Sequence, residues 1–465
     1  MKKYLIFGLI LSVIACNTFK EVLDTSDDER DWKVKRIPAT PQDLSGDPDA
    51  GYDYLLNGDY IGSGIPFGAF KRAIKTINKK YPHQLEGREE IPYIVNVFEA
   101  YNGAEVASGN CFGCHAAPLN DTLLLGIGNY ASDYRMNVAV GNKLASPLIK
   151  ATYKKDSKER ESFELISNYV EAIGPNIKLQ QIGINPASRL AEACMQHRDP
   201  VDLTYREEHQ FEVRDYNLAC DVPALWNVKK KNSLYCTGVG RGDFSKLLMQ
   251  VVVLGIPDST YARKVQQSFV DVLAWLNELE APKYPYEINQ ELAEMGKPIF
   301  EENCSKCHGT YGENETYPNK IVSVDLVKTD SLYAAYAMDT KLHEWYNKSW
   351  FATTYPKSSL IPSFGYVAPP LDGIWATAPY LHNASVPTLE DLLNSPQRPK
   401  YWKRQWENYD FDPEKVGWNY ERKQNGIGKY TFDTTIPGYS NVGHYFGDKL
   451  NGTERKAVIE YLKTL

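Results

Sequence analysis

The stretches Cys111-Phe112-Gly113-Cys114-His115 and Cys304-Ser305-Lys306-Cys307-His308 share one pattern, in which two cysteines stand three positions apart and a histidine follows directly. The pattern fits haem attachment, because two thiols can add to the two vinyl groups on one edge of a porphyrin while the adjacent imidazole turns beneath the iron. A zinc site made of two cysteine pairs explains neither histidine, and thioredoxin-like disulfides need a βαβ context that is not visible. The sequence therefore predicts two covalent haem c groups, each bound by its own two cysteines and histidine.

The N-terminus of the chain has the features of an export signal. Lys2 and Lys3 are followed by an apolar run from Tyr4 to Ile14, which is too short to remain as a membrane-spanning helix. Ala15 and Cys16 then resemble a bacterial lipoprotein box, which predicts that Cys16 is lipidated and becomes the new N-terminus. We therefore expect an exported protein that its lipid anchor alone holds at a bacterial membrane, facing the periplasm or the cell exterior. The alternative is plain secretion, with Cys16 incidental.

Three further cysteines belong neither to the haem motifs nor to the lipoprotein box: Cys194, Cys220 and Cys236. Export would place them in an oxidising environment, where disulfides form and persist. Two of the three can therefore pair and leave one thiol, and the sequence does not decide which two.

The composition is that of a globular protein, with 43% hydrophobic and 24% charged residues. A net charge of −7 argues against a nucleic-acid partner, which normally needs a basic face. Strand signals are weak, so we expect a mostly α fold of two cytochrome c-like domains with long loops and an N-terminal lipoprotein signal and tether. The predicted divisions are a signal peptide at 1–16, a tether and N-terminal extension at 17–90, a first haem domain at 91–282 and a second haem domain at 283–465.

Helical periodicity predicts an opening and a closing helix in each haem domain. In the second half, Leu292, Gly296 and Phe300 share one helical face, and Gly296 would let another helix cross closely. The closing helix of the second half is predicted at 453–465 with Thr453 as its N-cap, and the two helices of the first half are predicted at 94–106 and 264–280.

The second ligand of each iron distinguishes an electron carrier from a catalyst. No methionine follows Met338, so a late methionine ligand to the second haem is excluded, and His382 or His444 is expected to complete a bis-histidine site. For either histidine the alternative is a hydrogen-bonded place in the core. The first iron has no obvious second ligand. Met136 could serve, but we favour an open position where oxygen or peroxide can bind.

Two further stretches resemble a known group of proteins. The run Ala378-Pro379-Tyr380-Leu381-His382-Asn383, inside the block 371–389, resembles the signature of the bacterial dihaem cytochrome c peroxidase superfamily. The run Pro437-Gly438-Tyr439-Ser440-Asn441-Val442-Gly443-His444 resembles its rubber oxygenase branch, the dihaem dioxygenases that cleave polyisoprene. The segment 223–232 and the separation of the two haem motifs are also similar to that branch.

The resemblance implies different tasks for the two haems. His115 would be the proximal ligand of a reactive N-terminal haem. Trp226 would lie beside that haem as an aromatic wall or an electron relay, and the alternative is an ordinary core tryptophan. His308 and His444 would ligate an electron-transfer haem, with His382 in the pocket of the signature block.

The resemblance also implies a calcium ion between the domains, for which Asp121 and Asp325 are candidates, although no compact oxygen-ligand motif supports it. Two departures from the family stand out. The chain is much shorter after its second haem motif than rubber oxygenases are, and the methionine ligand of the classical peroxidases is absent.

Together these features predict a haem-dependent oxidoreductase, either cytochrome c peroxidase-like or a rubber-oxygenase-like dioxygenase. Hydrogen peroxide or dioxygen would react at the first haem, and the electrons would come from an electron-donor protein or a small organic substrate. Peroxide reduction needs an acid–base group near the iron, and the candidates are His197, His209 and the carboxylates between Glu192 and Glu212. The alternative is a non-enzymatic dihaem electron carrier, in which each iron has two protein ligands.

Overall fold

The computed structural model describes residues 33–119, 121–218, 220–405 and 410–465. Cys16 and the predicted signal peptide lie outside these residues. The structure is 39% helical and 14% strand, with several small sheets, so the prediction of a mostly α fold is wrong. Within the described ranges, no helix is both long enough and apolar enough to cross a membrane.

Most of the helices are short, and the longest has 20 residues. In chain order the α-helices are α1 Pro48–Asn57, α2 Phe67–Phe70, α3 Ile74–Lys80, α4 Phe112–His115, α5 Ala139–Thr152, α6 Lys158–Ile173, α7 Ala187–Met195, α8 Phe244–Leu248, α9 Ser259–Glu278, α10 Gln290–Asn303, α11 Ser305–His308, α12 Val324–Val327, α13 Leu332–Asp339, α14 Leu342–Lys348, α15 Trp350–Thr353, α16 Leu389–Leu392 and α17 Gly452–Leu462. Short 3₁₀-helices lie at Leu225–Lys230, Met249–Leu254, Ile374–Ala376, Ser395–Gln397 and Tyr445–Gly447.

The strands pair into small sheets of two or three strands. They are β1 Val34–Arg36, β2 Ile65–Pro66, β3 Val95–Glu99, β4 Glu105–Gly109, β5 Ala116–Leu119, β6 Thr122–Leu125, β7 Gly240–Gly242, β8 Lys320–Ser323, β9 Ser358–Leu360, β10 Gly365–Val367, β11 Tyr401–Arg404, β12 Phe411–Asp412, β13 Gly417–Trp418, β14 Tyr420–Arg422 and β15 Thr431–Asp433. The sheet orders are β1-β8-β10, β14-β11-β15, β12-β13, β2-β4-β3, β5-β6 and β7-β9. Every pairing in them is antiparallel.

The predicted opening helix at 94–106 is wrong, because this segment forms the antiparallel pair β3 and β4, with Val97 opposite Ala107. The physical reason is local. Val95 and Val97 are β-branched and fit a pleated strand better than a helix. Asn102-Gly103 is a dipeptide that favours a tight connection between two strands.

Each half of the molecule nevertheless contains a pair of closely crossing helices. In the second half α10 crosses α17 at Gly296, where a Cβ atom would lie 1.9 Å from the carbonyl oxygen of Ala457. In the first half α1 crosses α9 at Gly51, where a Cβ atom would lie 2.1 Å from the carbonyl oxygen of Asp271. Only glycine permits such an approach.

The helix that crosses α9 lies in the segment for which the sequence predicted a tether. Strand β1 belongs to the same segment and pairs with β8 of the second half. The tether prediction is therefore wrong for the described residues from 33 to 57. Helix α17 is capped by Asn451, which forms a capping box with Glu454, rather than by Thr453.

The two halves share their hydrophobic cores. The core around Phe112 includes Trp345 and Phe351 from the second half, and the core around Phe300 includes Trp226 from the first half. Strand β7 also pairs with β9 across the predicted boundary at residue 282. The domain boundaries stay a prediction, but the packing ties the two haem motifs into a shared framework.

Candidate haem-binding centres

The second motif ends in helix α11, which presents His308 to the interior. The Nδ1 atom of His308 lies 2.8 Å from the carbonyl oxygen of Pro369. A histidine that binds a metal usually donates its other ring N–H to such a carbonyl, which fixes the ring orientation and leaves Nε2 for the metal. Burial lowers the pKa of His308, which keeps the imidazole in the neutral form that a metal requires.

His444 lies across from His308. The centroids of the two rings are 6.2 Å apart. Metal–nitrogen bonds of about 2 Å, with about 1 Å more from each nitrogen to its ring centre, place two imidazoles on one metal at about 6 Å. Burial, followed by the charges of His308 and Arg398, lowers the pKa of His444 to about 3. The pair therefore fits a haem iron held between two histidines.

The backbone around His444 is held in an uncommon conformation. His444 has a φ of 50° and Gly443 a φ of 82°, and a Cβ atom at Gly443 would lie 2.2 Å from the carbonyl carbon of Lys328. The amide of His444 donates to the carbonyl oxygen of Val327 at 2.7 Å. Arg398 donates to the carbonyl oxygens of Asn441 at 2.6 Å and Gly443 at 2.7 Å. These contacts fix the loop that carries His444.

His382, the other candidate ligand, lies in a different environment. Its ring stacks on Tyr366 with the centroids 4.0 Å apart, and Tyr333 lies at 6.2 Å. Its carbonyl oxygen accepts from the amide of Asp221 at 2.6 Å. Its Nε2 atom is buried without a hydrogen-bond partner among the described residues. The structure thus brings His444, and not His382, into ring contact with His308.

The first motif lies on helix α4, directly after β4 and before the β5–β6 hairpin. The amide of Cys111 donates to the hydroxyl of Tyr60 at 3.2 Å. The Sγ atom of Cys114, which would be a thioether sulfur when haem is attached, accepts from Asn185 Nδ2 at 3.0 Å. The carbonyl oxygen of His115 accepts from the amide of Gly126 at 2.8 Å. Two cysteines and a histidine are therefore held on one turn of helix, as covalent haem attachment requires.

The surroundings of His115 differ from those of His308. Its Nδ1 atom is buried and has no hydrogen-bond partner among the described residues. Burial, and then the positive charge of Lys231, lowers the pKa of His115 to about 4. The side chain of Met136 is 72% exposed, so it is not the core residue that its apolar character would suggest. Across the described ranges, no ring contact joins His115 to a second histidine.

Trp226 lies between the two motifs. A Cβ atom at Gly126, whose amide binds the carbonyl of His115, would lie 3.5 Å from the Trp226 ring. The Nε1–H of Trp226 donates to the carbonyl oxygen of Asp372 at 2.8 Å. Asp372 stands three residues after Pro369, the hydrogen-bond partner of His308. The tryptophan therefore forms part of a contact path from the first motif to the second.

Neighbouring residues strengthen this connection. Asn227 Nδ2 donates to the carbonyl of Pro370 at 3.3 Å, and Lys230 Nζ forms an ion pair with Asp372 Oδ1 at 2.7 Å. We call the contacts of Trp226, Asn227 and Lys230 with Pro370 and Asp372 the inter-haem bridge. The sequence singled out the segment 223–232 only by resemblance, because Pro370 and Asp372 lie more than a hundred residues away from it.

The acid–base candidates have partners of their own. His197 stacks on Tyr205 with the ring centroids 5.7 Å apart, and meets His209 edge-on at 4.7 Å. Glu192 accepts from Tyr336 and forms a buried ion pair with Arg189 at 3.4 Å. Among the described residues, these hydrogen bonds and ring contacts do not run to His115.

Sequence reasoning missed Lys231 as a residue of the first site. Burial lowers the pKa of Lys231 to about 8, and its charge acts on His115. The signal was present as a run of three lysines that ends the segment containing Trp226, but a charged run more often marks a solvated surface.

The calcium candidates give no compact site. Asp121 and Asp325 are both exposed. In the part of the chain that the structure describes, no group of three or more histidine, cysteine, aspartate or glutamate side chains is arranged to hold a metal ion.

Comparison with known proteins adds a family relation for the signature block. A family model described as RoxA-like, cytochrome c-like matches residues 365–403. The match supports a rubber oxygenase-related cytochrome c family. The matched segment contains Pro369, the partner of His308, together with His382 and Arg398. A cytochrome c-like domain suggests covalent haem c, and the number of haems stays a prediction.

Two relatives are uncharacterised proteins of Sinorhizobium fredii. The protein y4iJ is 45% identical over 111 residues, which cover 22% of this chain and 18% of the relative. The protein y4iM is 26% identical over 293 residues, which cover 54% of this chain and 66% of the relative. The chain thus spans less than two thirds of either relative, and their names assign no activity.

Proposed function

We propose that the protein is an exported dihaem cytochrome c that acts as an oxidoreductase, with an open reactive haem at the first motif and an electron-transfer haem at the second. The observation that carries this proposal is the asymmetry of the two motifs. His308 has a second histidine at the distance that one iron between them requires, whereas His115 has no such ring contact among the described residues. A haem with two protein ligands moves electrons, and a haem with an open face can also bind a small oxygen species.

When bound, the first haem would supply an iron face for hydrogen peroxide or dioxygen, and the second would supply a one-electron relay. The residues of the chain do the remaining work. Helix α4 and its N-cap Cys111 hold Cys111, Cys114 and His115 on one turn, and these three residues would hold the attached group. Burial keeps His115 neutral, as a metal ligand must be.

The inter-haem bridge supports electron transfer between the two sites. The indole of Trp226 packs beside the strand and turn that follow His115, and its N–H binds the loop that orients His308. An aromatic side chain that is buried in the core and held by this hydrogen bond gives a rigid element between the two motifs. The lysine at position 231 is our candidate for a charged group that adjusts the first site, because burial lowers its pKa to about 8 and its positive charge lowers the pKa of His115.

The two candidate reactions differ in the number of electrons that they take from a donor. Reduction of one hydrogen peroxide to two waters takes two electrons and two protons from a donor, whereas dioxygenase chemistry places both oxygen atoms in an organic substrate and consumes no net electrons. The electron donor or organic substrate stays open. We further propose that Cys16 carries a lipid that holds the exported protein at a membrane.

Assays on the purified holoprotein would test the activity. Peroxide consumption with a reduced cytochrome or a small-molecule donor, and oxygen uptake with isoprenoid oligomers, should be measured for the wild type and for Lys231→Met. We expect turnover in one of the two assays, with a clear loss in the variant and an unchanged haem content. Absence of turnover in both assays, together with no binding of carbon monoxide to the reduced protein, would support a pure electron carrier instead.

A further inference from the structure

Two of the three cysteines outside the haem motifs lie next to each other. The Sγ atoms of Cys220 and Cys236, sixteen positions apart in sequence, are separated by 3.2 Å. The third, Cys194, is fully buried in the core around Phe112. A disulfide has an S–S bond of about 2 Å, so a small side-chain movement joins the first two sulfurs and nothing comparable joins Cys194.

The two cysteines stand at the ends of the loop that carries the inter-haem bridge. Cys220 exchanges backbone hydrogen bonds with Asn185, whose side chain donates to Cys114 of the first motif at 3.0 Å. The carbonyl of Cys236 accepts from the amide of Val367 at 2.8 Å, two residues before the carbonyl that binds His308. A bond between the sulfurs would therefore link a segment that contacts the first haem motif to a segment that contacts the second.

We propose that Cys220 and Cys236 form a disulfide that closes the loop containing Trp226 and Lys231. The disulfide would restrain this loop and so maintain the contacts of the inter-haem bridge. The step removes one hydrogen from each thiol and forms the S–S bond. The two electrons and two protons reduce the disulfide of an oxidising dithiol protein of the export compartment to two thiols. The inference rests on the proposed export, since a reducing compartment would keep both thiols reduced.

The closed loop should stabilise the folded protein, because it removes conformations from the unfolded chain. It should also limit motion of Trp226 relative to the two motifs. Cys194 should stay a thiol, and burial, which raises its pKa to about 12, makes it unreactive in the folded protein.

Thiol mapping of the exported holoprotein tests the proposal. The protein is denatured with an alkylating agent and without reductant, digested, and examined by mass spectrometry. We expect one linked peptide pair containing Cys220 and Cys236, with alkylation at Cys194. Full alkylation of Cys220 and Cys236 would overturn the disulfide. Alkylation of Cys111 or Cys304 would instead count against haem attachment, so the two failures are distinguishable.

A set of serine variants provides a second test of the disulfide that does not depend on thiol mapping. If the bond exists, Cys220→Ser, Cys236→Ser and the double variant should lower the unfolding temperature by the same several degrees, because either change removes the same bond. Treatment of the wild type with a phosphine reductant should give the same shift. Additive shifts of the two single variants, or no shift with the reductant, would contradict the proposal.

A separate observation concerns the surface of helix α5. Three apolar side chains of α5 recur at steps of four residues, and a fourth stands three residues before the helix begins. They are exposed to the extent of 45%, 73%, 66% and 72%: Val140, Leu144, Leu148 and Met136. Such large exposed apolar side chains in a row are uncommon on a soluble surface and mark an interaction site.

The charges around this face have one sign. Lys143, Lys150, Lys154 and Lys155 are all exposed. No acidic residue occurs between Asp133 and Asp156. Two acidic residues of the neighbouring helix α6 already have partners, since Glu164 pairs with Arg160 at 2.6 Å and Glu171 accepts from Asn142 of α5. The face is therefore an apolar stripe beside a basic one.

We infer that this face of α5 rests on an anionic phospholipid surface. Protein interfaces are enriched in aromatic residues and arginine and depleted in lysine, whereas this face has aliphatic side chains and lysines. Helices that lie in a membrane interface combine an apolar face with lysines that reach anionic headgroups. The contact is independent of the proposed lipid on Cys16 and would orient the protein on its membrane.

Vesicle sedimentation tests this inference. The full mature holoprotein is exported through a cleavable signal with Cys16→Ser, so that no lipid is attached. It is then mixed with phosphatidylglycerol or phosphatidylcholine vesicles. We expect severalfold stronger binding to phosphatidylglycerol, weakened by salt and lost in Leu144→Glu/Leu148→Glu and in Lys143→Glu/Lys150→Glu. The matched control Ile427→Glu, at a site that is 81% exposed, should bind as the wild type does.

Two outcomes would overturn the membrane assignment. One is equal or no binding of the wild type to the two kinds of vesicle. The other is a concentration-dependent dimer in sedimentation velocity that Leu144→Glu/Leu148→Glu abolishes, which would assign the face to a second copy of the chain. Haem absorbance and circular dichroism of each variant would show that it is folded.

Discussion

The two haem motifs have the same residue pattern but different surroundings. At the second motif, the carbonyl of Pro369 orients His308, and His444 stands across from it at a ring separation of 6.2 Å. At the first motif, the Nδ1 of His115 is buried without a partner among the described residues, and Lys231 is the charged group that acts on it. The comparison teaches that two copies of one local motif can have different surroundings, because those surroundings are built by residues from distant segments.

The largest expected effect comes from the two close helix crossings, which support one motif each. Gly51→Ala and Gly296→Ala would each force a Cβ atom into a backbone carbonyl of the partner helix. We expect each to reduce the free energy of unfolding by about 3 kcal/mol, because overpacked crossings must separate. Denaturant unfolding, followed by haem absorbance, would measure this loss. Gly452→Ala, where a Cβ atom would meet open space, is the matched control.

These glycine variants should also affect the two halves of the molecule differently. Gly296→Ala should disturb the low-spin signal of the second haem first, and Gly51→Ala should disturb the first haem. A change below about 1 kcal/mol in both variants would be within the range of an ordinary surface substitution and would contradict the close crossings.

A second test removes the ligand that distinguishes the motifs. In His444→Ala the second iron loses one imidazole, so the low-spin bis-histidine signal should disappear almost completely and a high-spin signal should replace it. His382→Ala is the matched control: the loss of its contact with Tyr366 should lower stability but leave the low-spin signal in place. Electron paramagnetic resonance of both variants measures the difference. Loss of the signal in His382→Ala alone would reverse the assignment.

The inter-haem bridge predicts a smaller effect. Trp226→Phe removes the hydrogen bond to Asp372 and should cost about 1–2 kcal/mol of stability, with slower electron transfer between the two haems. Trp375→Phe removes a similar bond, from Nε1 to the carbonyl of Pro282 at 2.8 Å, and serves as the control. Flash photolysis of the half-reduced protein measures the transfer. Equal rates in both variants would show that Trp226 is only a packing residue.

The smallest effect is expected at Arg398. Arg398→Lys keeps the charge but has no second nitrogen to join the carbonyls of Asn441 and Gly443, which Nη1 reaches, to that of Leu392, which Nη2 reaches at 2.8 Å. It should cost about 1 kcal/mol. The loop that carries His444 should then sample more than one position, which would broaden the low-spin signal of the second haem. Arg422→Lys, on an exposed side chain, should leave both stability and signal unchanged. A sharp, unaltered signal in Arg398→Lys would show that the loop is held by other contacts.

Some of the architecture could be predicted from local sequence. The helix face of Leu292, Gly296 and Phe300 is a periodic pattern, and the structure forms helix α10 there with Gly296 at the crossing. The helix predicted at 264–280 also exists, as α9 from Ser259 to Glu278. Both predictions depended on long amphipathic segments, where the spacing of apolar residues is most informative.

Other parts could not be predicted because their partners lie far away in sequence. The strands β1 and β7 are only three residues long, and each is stabilised by pairing with a strand of the second half. The segment 94–106 has enough apolar residues for a helix, but β-branched valines and an Asn-Gly turn favour a hairpin.

The candidate sites show the same limit. Cysteine and histidine spacing was sufficient to predict the two attachment motifs, and that prediction stands untested. The spacing was not sufficient to choose between His382 and His444, to pair Cys220 with Cys236, or to place Lys231 at the first site. Each of these depends on contacts between loops that are far apart in the sequence, such as the turn at Gly443 and the segment after Trp226.

The central claim is that one haem iron is closed by two histidines and the other is open. A low-temperature electron paramagnetic resonance spectrum of the ferric holoprotein, as isolated, tests it most directly. We predict a high-spin and a low-spin signal in equal amounts, with only the high-spin signal changing when peroxide is added. Two low-spin signals that do not change with peroxide, or with reductant and oxygen, would contradict the claim and leave an electron carrier.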